Sequence, residues 1–331
     1  MSTSSKPPEP RSGAPAIAIV GTQRDLDDLE PLRSAYQRAG IGEVPVVTAV
    51  MPSPPELVEI ADHVDAVLLT YPRLRSPNTV IPWPAVVTAS GRRVPVGLVP
   101  SHRDWIGRFA TTAARVHARP GGEQGETSVV LLAQRSRRYV DLAGRIRRLL
   151  HEGERSSEWT FWWPGDEIVR DDITRGLAHG LALAIYVGHG RPNGWVGYGG
   201  VRRHHLADVT EPTGLIVSLA CQTLSRRRTG LSFGEALVAQ GTAAATVGAV
   251  SVTNHIANAR WSLRLADAVL NGASTAGGLL AAAEPDVGVG RCYRLIGDPL
   301  APLLDAPGAN AAARALTDDV VYQIEPEEAL L

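Results

Sequence analysis

LALAIYVGHGRPNGW (Leu181–Trp195) and GLIVSLAC (Gly214–Cys221) are the two pieces of sequence from which the fold is read. Each holds an apolar run of strand length, Ala184–Val187 and Leu215–Ala220, and soon after each run comes a side chain with chemistry, His189 and Cys221. Runs this apolar suit strands buried on both faces, as in a parallel sheet covered by helices. Functional groups on such sheets gather where the strands end. An imidazole and a thiol are therefore expected to meet at one sheet edge.

Working outward, the same alternation of strand-like and helix-like segments fills the chain. On the N-terminal side a Ser/Pro-rich tail, residues 1–15, reads as disordered. A strand at 16–20, a helix over 25–40 closed by Gly40, a strand at 45–50, a Ser-capped helix with early prolines at 53–64 and strands at 66–71 and 94–100 build a first α/β unit, residues 16–122. Pro120–Gly125 is polar and rich in turn formers, the best linker in the chain. The alternation restarts with a strand at 128–133 and a helix at 137–153, and a second unit runs through residues 123–306. Residues 307–331, acidic and without a core pattern, read as a C-terminal appendage.

Composition bounds the function. At 331 residues the chain can bury a proper core. Its net charge of -1 offers no general electrostatic case for nucleic acid. Of 33 basic residues only Lys6 is a lysine, so the folded part has neither a Schiff-base lysine nor a phosphate-loop lysine. The arginine and alanine bias suits a GC-rich bacterial source. Two cysteines, Cys221 and Cys292, give no disulfide framework and no metal-type spacing, which fits a reducing compartment. Neither a signal peptide nor a membrane span is readable, and a cytoplasmic protein is expected.

A buried cysteine is usually inert and a histidine among glycines is usually loop structure. Together they gain weight, because a nucleophilic thiol needs an imidazole to take its proton and later protonate the leaving amine. Gly188, Gly190 and Ala220 would let a substrate backbone come close. The ordered set DITRGLAHGLALAIYVGHG with Trp195, then IVSLACQT, SFGEAL, GTAAATVGA and LIGDP, resembles the catalytic domain of gingipain-type cysteine peptidases of the caspase-fold clan. IGRF followed by a helix, ahead of the linker, is similar to the end of that family's first subdomain. The resemblance covers residues 16–305, and CHAT-type peptidases share its His–Cys logic. It implies a caspase-like three-layer α/β sandwich with a mostly parallel sheet and two side-by-side subdomains. It further implies a cysteine endopeptidase, with no organic cofactor expected and no metal-ligating residues assigned, with His189 as general acid/base, Cys221 as nucleophile, and the amides of Gly190 and Cys221 as oxyanion hole. A protein or peptide substrate follows, with room for a regulatory protein partner.

The sequence departs from the family in two places. The acidic helper falls on Gln134, which carries no charge. Where basic-selective gingipains carry an acidic selector, this chain has Arg135, Arg137 and Arg138. A guanidinium fork suits a carboxylate, so an acidic or non-basic P1 residue is expected; solvated helix-start charges are the competing reading. By resemblance the strand end Val250–His255, with Val252, Asn254 and His255, lines the opposite wall. Arg226–Arg228 reads as a solvated loop or a processing site, His204–His205 with Asp208 as a weak metal candidate, Asp298 as a turn residue, and Cys292 as core. Trp159, Trp162 and Trp163 are expected to pack between the subdomains. Gln134 motivates an alternative, a catalytically silent interaction module of the same fold. A nucleotide site at IVGTQRD (19–25) has no phosphate-loop pattern behind it.

Overall fold

The structure, a computed structural model, describes residues 14–81, 84–120, 127–152, 160–164, 168–207, 209–226, 230–284 and 287–318. In chain order the elements are β1 (Ala16–Gly21), α1 (Gln23–Asp28), α2 (Glu30–Arg38), β2 (Gly42–Val47), α3 (Pro54–Asp62), β3 (Ala66–Pro72), β4 (Ala85–Val87), β5 (Arg93–Ser101) and α4 (Arg103–His117). The second half continues with β6 (Val129–Ala133), α5 (Arg137–Glu152), β7 (Thr160–Pro164), α6 (Arg170–Leu177), β8 (Leu183–Val187), β9 (Gly190–Arg191), β10 (Gly194–Trp195), β11 (Thr213–Leu219), α7 (Phe233–Gln240), β12 (Ala243–Ala249), α8 (His255–Leu270), α9 (Ala276–Ala282), α10 (Val287–Gly290), β13 (Tyr293–Gly297) and α11 (Ala309–Asp318).

One sheet spans both halves in the order β2-β1-β3-β5-β13-β12-β11-β8-β6-β7, with β4 beside β5. Every pair along this path is parallel except β12–β13. The consequence is geometric: the first-half strands run opposite to β6, β8, β11 and β12, so their carboxyl ends lie at the other edge of the sheet. The apolar runs fill this sheet because both faces are covered. Leu131, Ile185, Val217, Val247 and Leu295 stand in register across it and belong to the core shared with α5 and α8. Val130, Ala184, Tyr186 and Ile216 belong to a second core with Ile173 and Leu177 of α6, Leu237 of α7 and Ala313 of α11. Helices on both faces make the three-layer α/β sandwich.

Several segments differ from their sequence reading, each for a local reason. Helix 25–40 is broken at Leu29 into α1 and α2, with Pro31 in the first turn of α2. The second strand starts three residues early and admits Pro45, which an edge strand tolerates. Residues after Pro307, read as an appendage, include α11, whose Ala309 and Ala313 are buried on the second core. Trp162 and Trp163 do not sit between the halves. They lie on β7 at the sheet's far edge, pointing to opposite faces, and a Cβ added at Gly176 would strike the Trp163 ring at 2.2 Å. Trp159 lies outside the described residues, as does the linker beyond Pro120.

Two buried carboxylates clasp the halves together. Asp298, fully buried after β13, accepts from Tyr36 Oη at 2.7 Å, lies 2.7 Å from His117 Nε2 and takes the Leu300 amide at 2.8 Å. Burial first, and then the Asp298 charge, push the Tyr36 hydroxyl well above its usual range, so it donates as a neutral phenol. Glu235, also fully buried, takes the Tyr71 hydroxyl, the Ser232 amide at 2.9 Å and a two-oxygen grip from Arg226 Nε at 2.9 Å. The nucleotide reading at 19–25 meets a filled site: Asp25 is buried and accepts from Ser101 Oγ at 2.7 Å and Thr70 Oγ1 at 3.0 Å. Removing one partner of a buried charged network costs about 3–5 kcal/mol. Asp298→Ala should therefore lose about that much in urea unfolding, against about 1 kcal/mol for Tyr36→Phe; equal small losses would mean that the clasp does not hold the halves.

Candidate active site

Two strand ends place the candidate residues. β8 and β11 are parallel neighbours, with Val187 opposite Leu219, so His189 and Cys221 each follow their strand by the same two residues. His189 is exposed and Cys221 half-buried. The backbone of His189 is held on three sides: its N–H donates to Gln134 Oε1 at 2.7 Å, and its carbonyl accepts from Tyr186 Oη and from the Val196 amide, each at 3.0 Å. Gln134, which cannot act as an acidic helper, thus anchors the His189 loop. Gly188 and Gly190 are required by contact. A Cβ at Gly188 would lie 2.3 Å from Tyr186 Oη, and one at Gly190 would lie 2.5 Å from the Cys221 carbonyl oxygen. The two loops therefore touch at Gly190.

The β9–β10 hairpin is fixed beneath this contact. Trp195 is fully buried, stacks on Tyr186 with centroids 4.5 Å apart and donates from Nε1 to Ser218 Oγ of β11 at 2.9 Å. Because Val196 N–H bonds His189 O, the neighbouring Gly190–Trp195 pair is of the non-hydrogen-bonded kind, and the Gly190 amide is not used by the ladder. The Cys221 amide likewise has no acceptor among the described residues. Gln222 takes a left-handed φ of 60° and donates its amide to Ser251 O at 3.0 Å, turning the chain sharply just after the thiol.

The sulfur faces Thr253. Its Sγ lies 3.4 Å from the Thr253 amide and 3.5 Å from Thr253 Oγ1, which itself accepts from Asn258 Nδ2 of α8 at 2.8 Å. No hydrogen bond joins Cys221 Sγ to His189. The imidazole instead faces α5: Arg138 Nη2 is 2.7 Å from His189 Nε2 and 2.9 Å from Tyr139 Oη, with its guanidinium 4.5 Å above the Tyr139 ring. A guanidinium only donates, so Nε2 is the acceptor and the ring proton sits on Nδ1. Partial burial and then the Arg138 charge lower the His189 pKa below its ordinary value. Tyr139 packs edge-on against both His189, at 5.4 Å, and His255, at 5.6 Å. Burial raises its hydroxyl pKa, Arg138 opposes that, and Cys221 lies near enough to add to the rise.

The other expected contacts fall differently. Arg137 is 96% exposed and reaches only Asp141, one helical turn on, at 3.9 Å; Arg135 is exposed ahead of α5. Of the segment expected as a strand end, Val250–His255, none is strand: β12 stops at Ala249, and Val250–Asn254 is the loop into α8. Asn254 caps that helix, its Oδ1 accepting from Ile256 N at 2.9 Å and Ala257 N at 3.3 Å, so its carboxamide is committed to the backbone. Val252 (68% exposed) on this loop and Ile256 (62%) in the first turn of α8 are exposed apolar side chains. Cys292 is partly buried and packs against the main core, with its Sγ 3.4 Å from Gly288 O. Arg226 is no solvated loop residue, being held by Glu235 and by the carbonyl of Arg73; Arg227 and Arg228 lie outside the described residues. His204 and His205 form a short turn in which His205 Nδ1 accepts the Arg202 amide, and Asp208 is not described. Among the described residues no group of three or more His, Cys, Asp or Glu is placed to hold a metal ion, and no helix is long and apolar enough to cross a membrane.

Sequence reasoning missed Tyr139, Thr253 and Asn258. Tyr139 follows the arginine cluster directly, but nothing local marks it as the residue whose ring packs between His189 and His255.

The fold has known counterparts. The Arg-specific cysteine proteinase gingipain R aligns over 91% of this chain and 80% of its own, with 16% identity and a TM-score of 0.67. The complex of Porphyromonas gingivalis RgpB pro- and mature domains aligns over 87% and 79%, with 15% identity and a TM-score of 0.65. At such identities the likeness establishes a shared fold. No curated protein sequence matches the chain significantly. The model of peptidase family C25 matches residues 131–304, just over half the chain and the whole stretch from β6 to beyond β13. On that match, with the gingipain fold beneath it, the chain belongs to peptidase family C25 and is a cysteine peptidase by family.

Proposed function

We propose that the protein is an endopeptidase in which His189 and Cys221 form the catalytic dyad. The support is the level exit from adjoining strands: with Val187 opposite Leu219, imidazole and thiol start from points one strand spacing apart, about 4.8 Å. Cys221 Sγ attacks the scissile carbonyl carbon as His189 takes the thiol proton. The imidazolium returns that proton to the leaving amine, and water, deprotonated by His189, then hydrolyses the thioester. The amides of Gly190 and Cys221, neither with an acceptor among the described residues, suit the oxyanion; one such donor is typically worth about 3 kcal/mol. The Thr253 amide points at the sulfur and the Thr253 hydroxyl lies beside it, so the thiol is held at a fixed place in the site.

An acidic P1 residue fits the arginines at the head of α5, and of these Arg138 is the one at the dyad. Arg135 and Arg137 reach outward from the same helix start, and His255 and Val252 border the other side. As gingipain pro- and mature domains form a complex, a regulatory protein partner belongs to this reading. A second reading, a silent module, is favoured by one observation: the imidazole is turned to Arg138 and not to the sulfur.

Alkylation by iodoacetamide at neutral pH, mapped by mass spectrometry at Cys221 and at Cys292 separately, decides between them. Cys221 should react faster than Cys292, and His189→Ala should slow both this reaction and peptide cleavage, the latter by roughly 100-fold or more. Ordinary reactivity at Cys221, indifferent to His189, would leave the silent module. Thr253→Val removes one donor to the sulfur and should slow alkylation by up to about tenfold. Peptides with Asp, Glu, Arg or Lys at P1 test the pocket, and preferential cleavage after Arg would refute the acidic assignment.

A further inference from the structure

Arg138 stands apart from the other arginines of the site. Arg137 has Asp141 and Arg226 has Glu235, whereas Arg138 pairs with no carboxylate among the described residues. Its Nη2 is spent on two neutral acceptors, His189 Nε2 and Tyr139 Oη. This contact takes the histidine out of service as a base. Nε2 has its lone pair engaged by a cation, and Nδ1 carries the ring proton, so neither nitrogen can accept a proton from a thiol. Protonating Nε2 with the guanidinium in place would bring two cations together. Tyr139, with its ring under the guanidinium, holds Arg138 in this position from the neighbouring residue.

We propose that Arg138 is a substrate-operated latch on His189: an acidic side chain of the substrate draws the guanidinium away and by doing so frees the base that cleaves it. The proposal rests on the His189–Cys221 dyad above and adds that selection and activation are one event. A carboxylate is the better partner for Arg138, since it adds the attraction of opposite charges and a bidentate pair of hydrogen bonds where His189 offers one neutral acceptor. Arg138 is exposed and on the first turn of α5, so its side chain can exchange partners without moving the helix. Once it leaves, Nε2 is open to the Cys221 proton, and the Arg138–carboxylate pair keeps the substrate in the cleft. A neutral substrate does not open the latch, and small reagents meet an active thiol only in the fraction of molecules whose guanidinium has swung away, so native alkylation is slowed by the latch but still depends on His189.

The test uses the full chain with Arg138→Gln and Arg138→Lys, both at an exposed position and checked for an unchanged melting temperature. Two readings are taken: the rate of Cys221 alkylation by neutral iodoacetamide, and kcat/KM for matched peptides with Asp or Asn at P1. The native enzyme should prefer Asp by roughly tenfold or more, the size of one charge-assisted hydrogen bond. In Arg138→Gln the preference should fall towards unity while alkylation and cleavage of the Asn peptide rise several-fold. Arg138→Lys should keep part of the preference. Alkylation that is unchanged or slower in Arg138→Gln, or an Asp preference that survives, overturns the latch. Failure of the dyad itself is distinguishable, because His189→Ala would then leave Cys221 alkylation unchanged in both the native and the Arg138→Gln backgrounds.

Discussion

The parallel pairing of β8 with β11 is the constraint on which the rest of the structure depends. Parallel neighbours are about 4.8 Å apart, and a register of Val187 to Leu219 delivers the next residues of both strands to the same level. The local sequence is shaped to permit it. Gly188 and Gly190 are residues whose Cβ would collide with Tyr186 and with the Cys221 carbonyl. Trp195, tied to Ser218 of β11, fills the space below. Slip that register by one residue and every side chain on β11 changes face.

The rest of the architecture keeps that edge rigid. Reversal of strand direction between β12 and β13 sends the carboxyl ends of the first half to the far edge, so the first half contributes no strand end to the site. It supplies support instead. Tyr36 and His117 hold Asp298 after β13, and Tyr71 holds Glu235, whose partner Arg226 anchors the loop that leaves Cys221. This division accounts for why the family match begins at β6: the residues around the thiol and imidazole all follow residue 130. Buried carboxylates with every oxygen satisfied are costly to break, and here they lie between the halves and below the nucleophile loop.

Electrostatics at the site are arranged without an acid. Gln134 offers a neutral oxygen to the His189 backbone, and the ring faces Arg138 and Tyr139. A histidine facing a cation is held neutral, the opposite of the bias that a neighbouring carboxylate would impose. No carboxylate of the described residues pairs with Arg138, and the proposed acidic substrate would supply that charge.

The strands were legible in the sequence because burial on both faces leaves continuous apolar runs such as Leu183–Val187 and Leu215–Leu219, and the loop residues His189, Gly190 and Cys221 were legible because they follow those runs directly. Strand order, and with it the opposed halves, was not readable, since an apolar run carries no mark of its neighbour's direction. Asn254 looked like a pocket residue and is a helix cap because β12 ends at Ala249, a boundary that no local signal in Val250–Thr253 announces. Tyr139, Thr253 and Asn258 are ordinary residues in sequence, and their roles come from α5 and α8 packing over the same sheet edge. The sequence by itself determined which residues could do chemistry and that they sit at strand ends, because periodicity and side-chain type are local. Only the tertiary structure decided which of them touch, that His189 meets Arg138 and Cys221 meets Thr253, because those contacts join segments whose proximity depends on the pairing of the whole sheet.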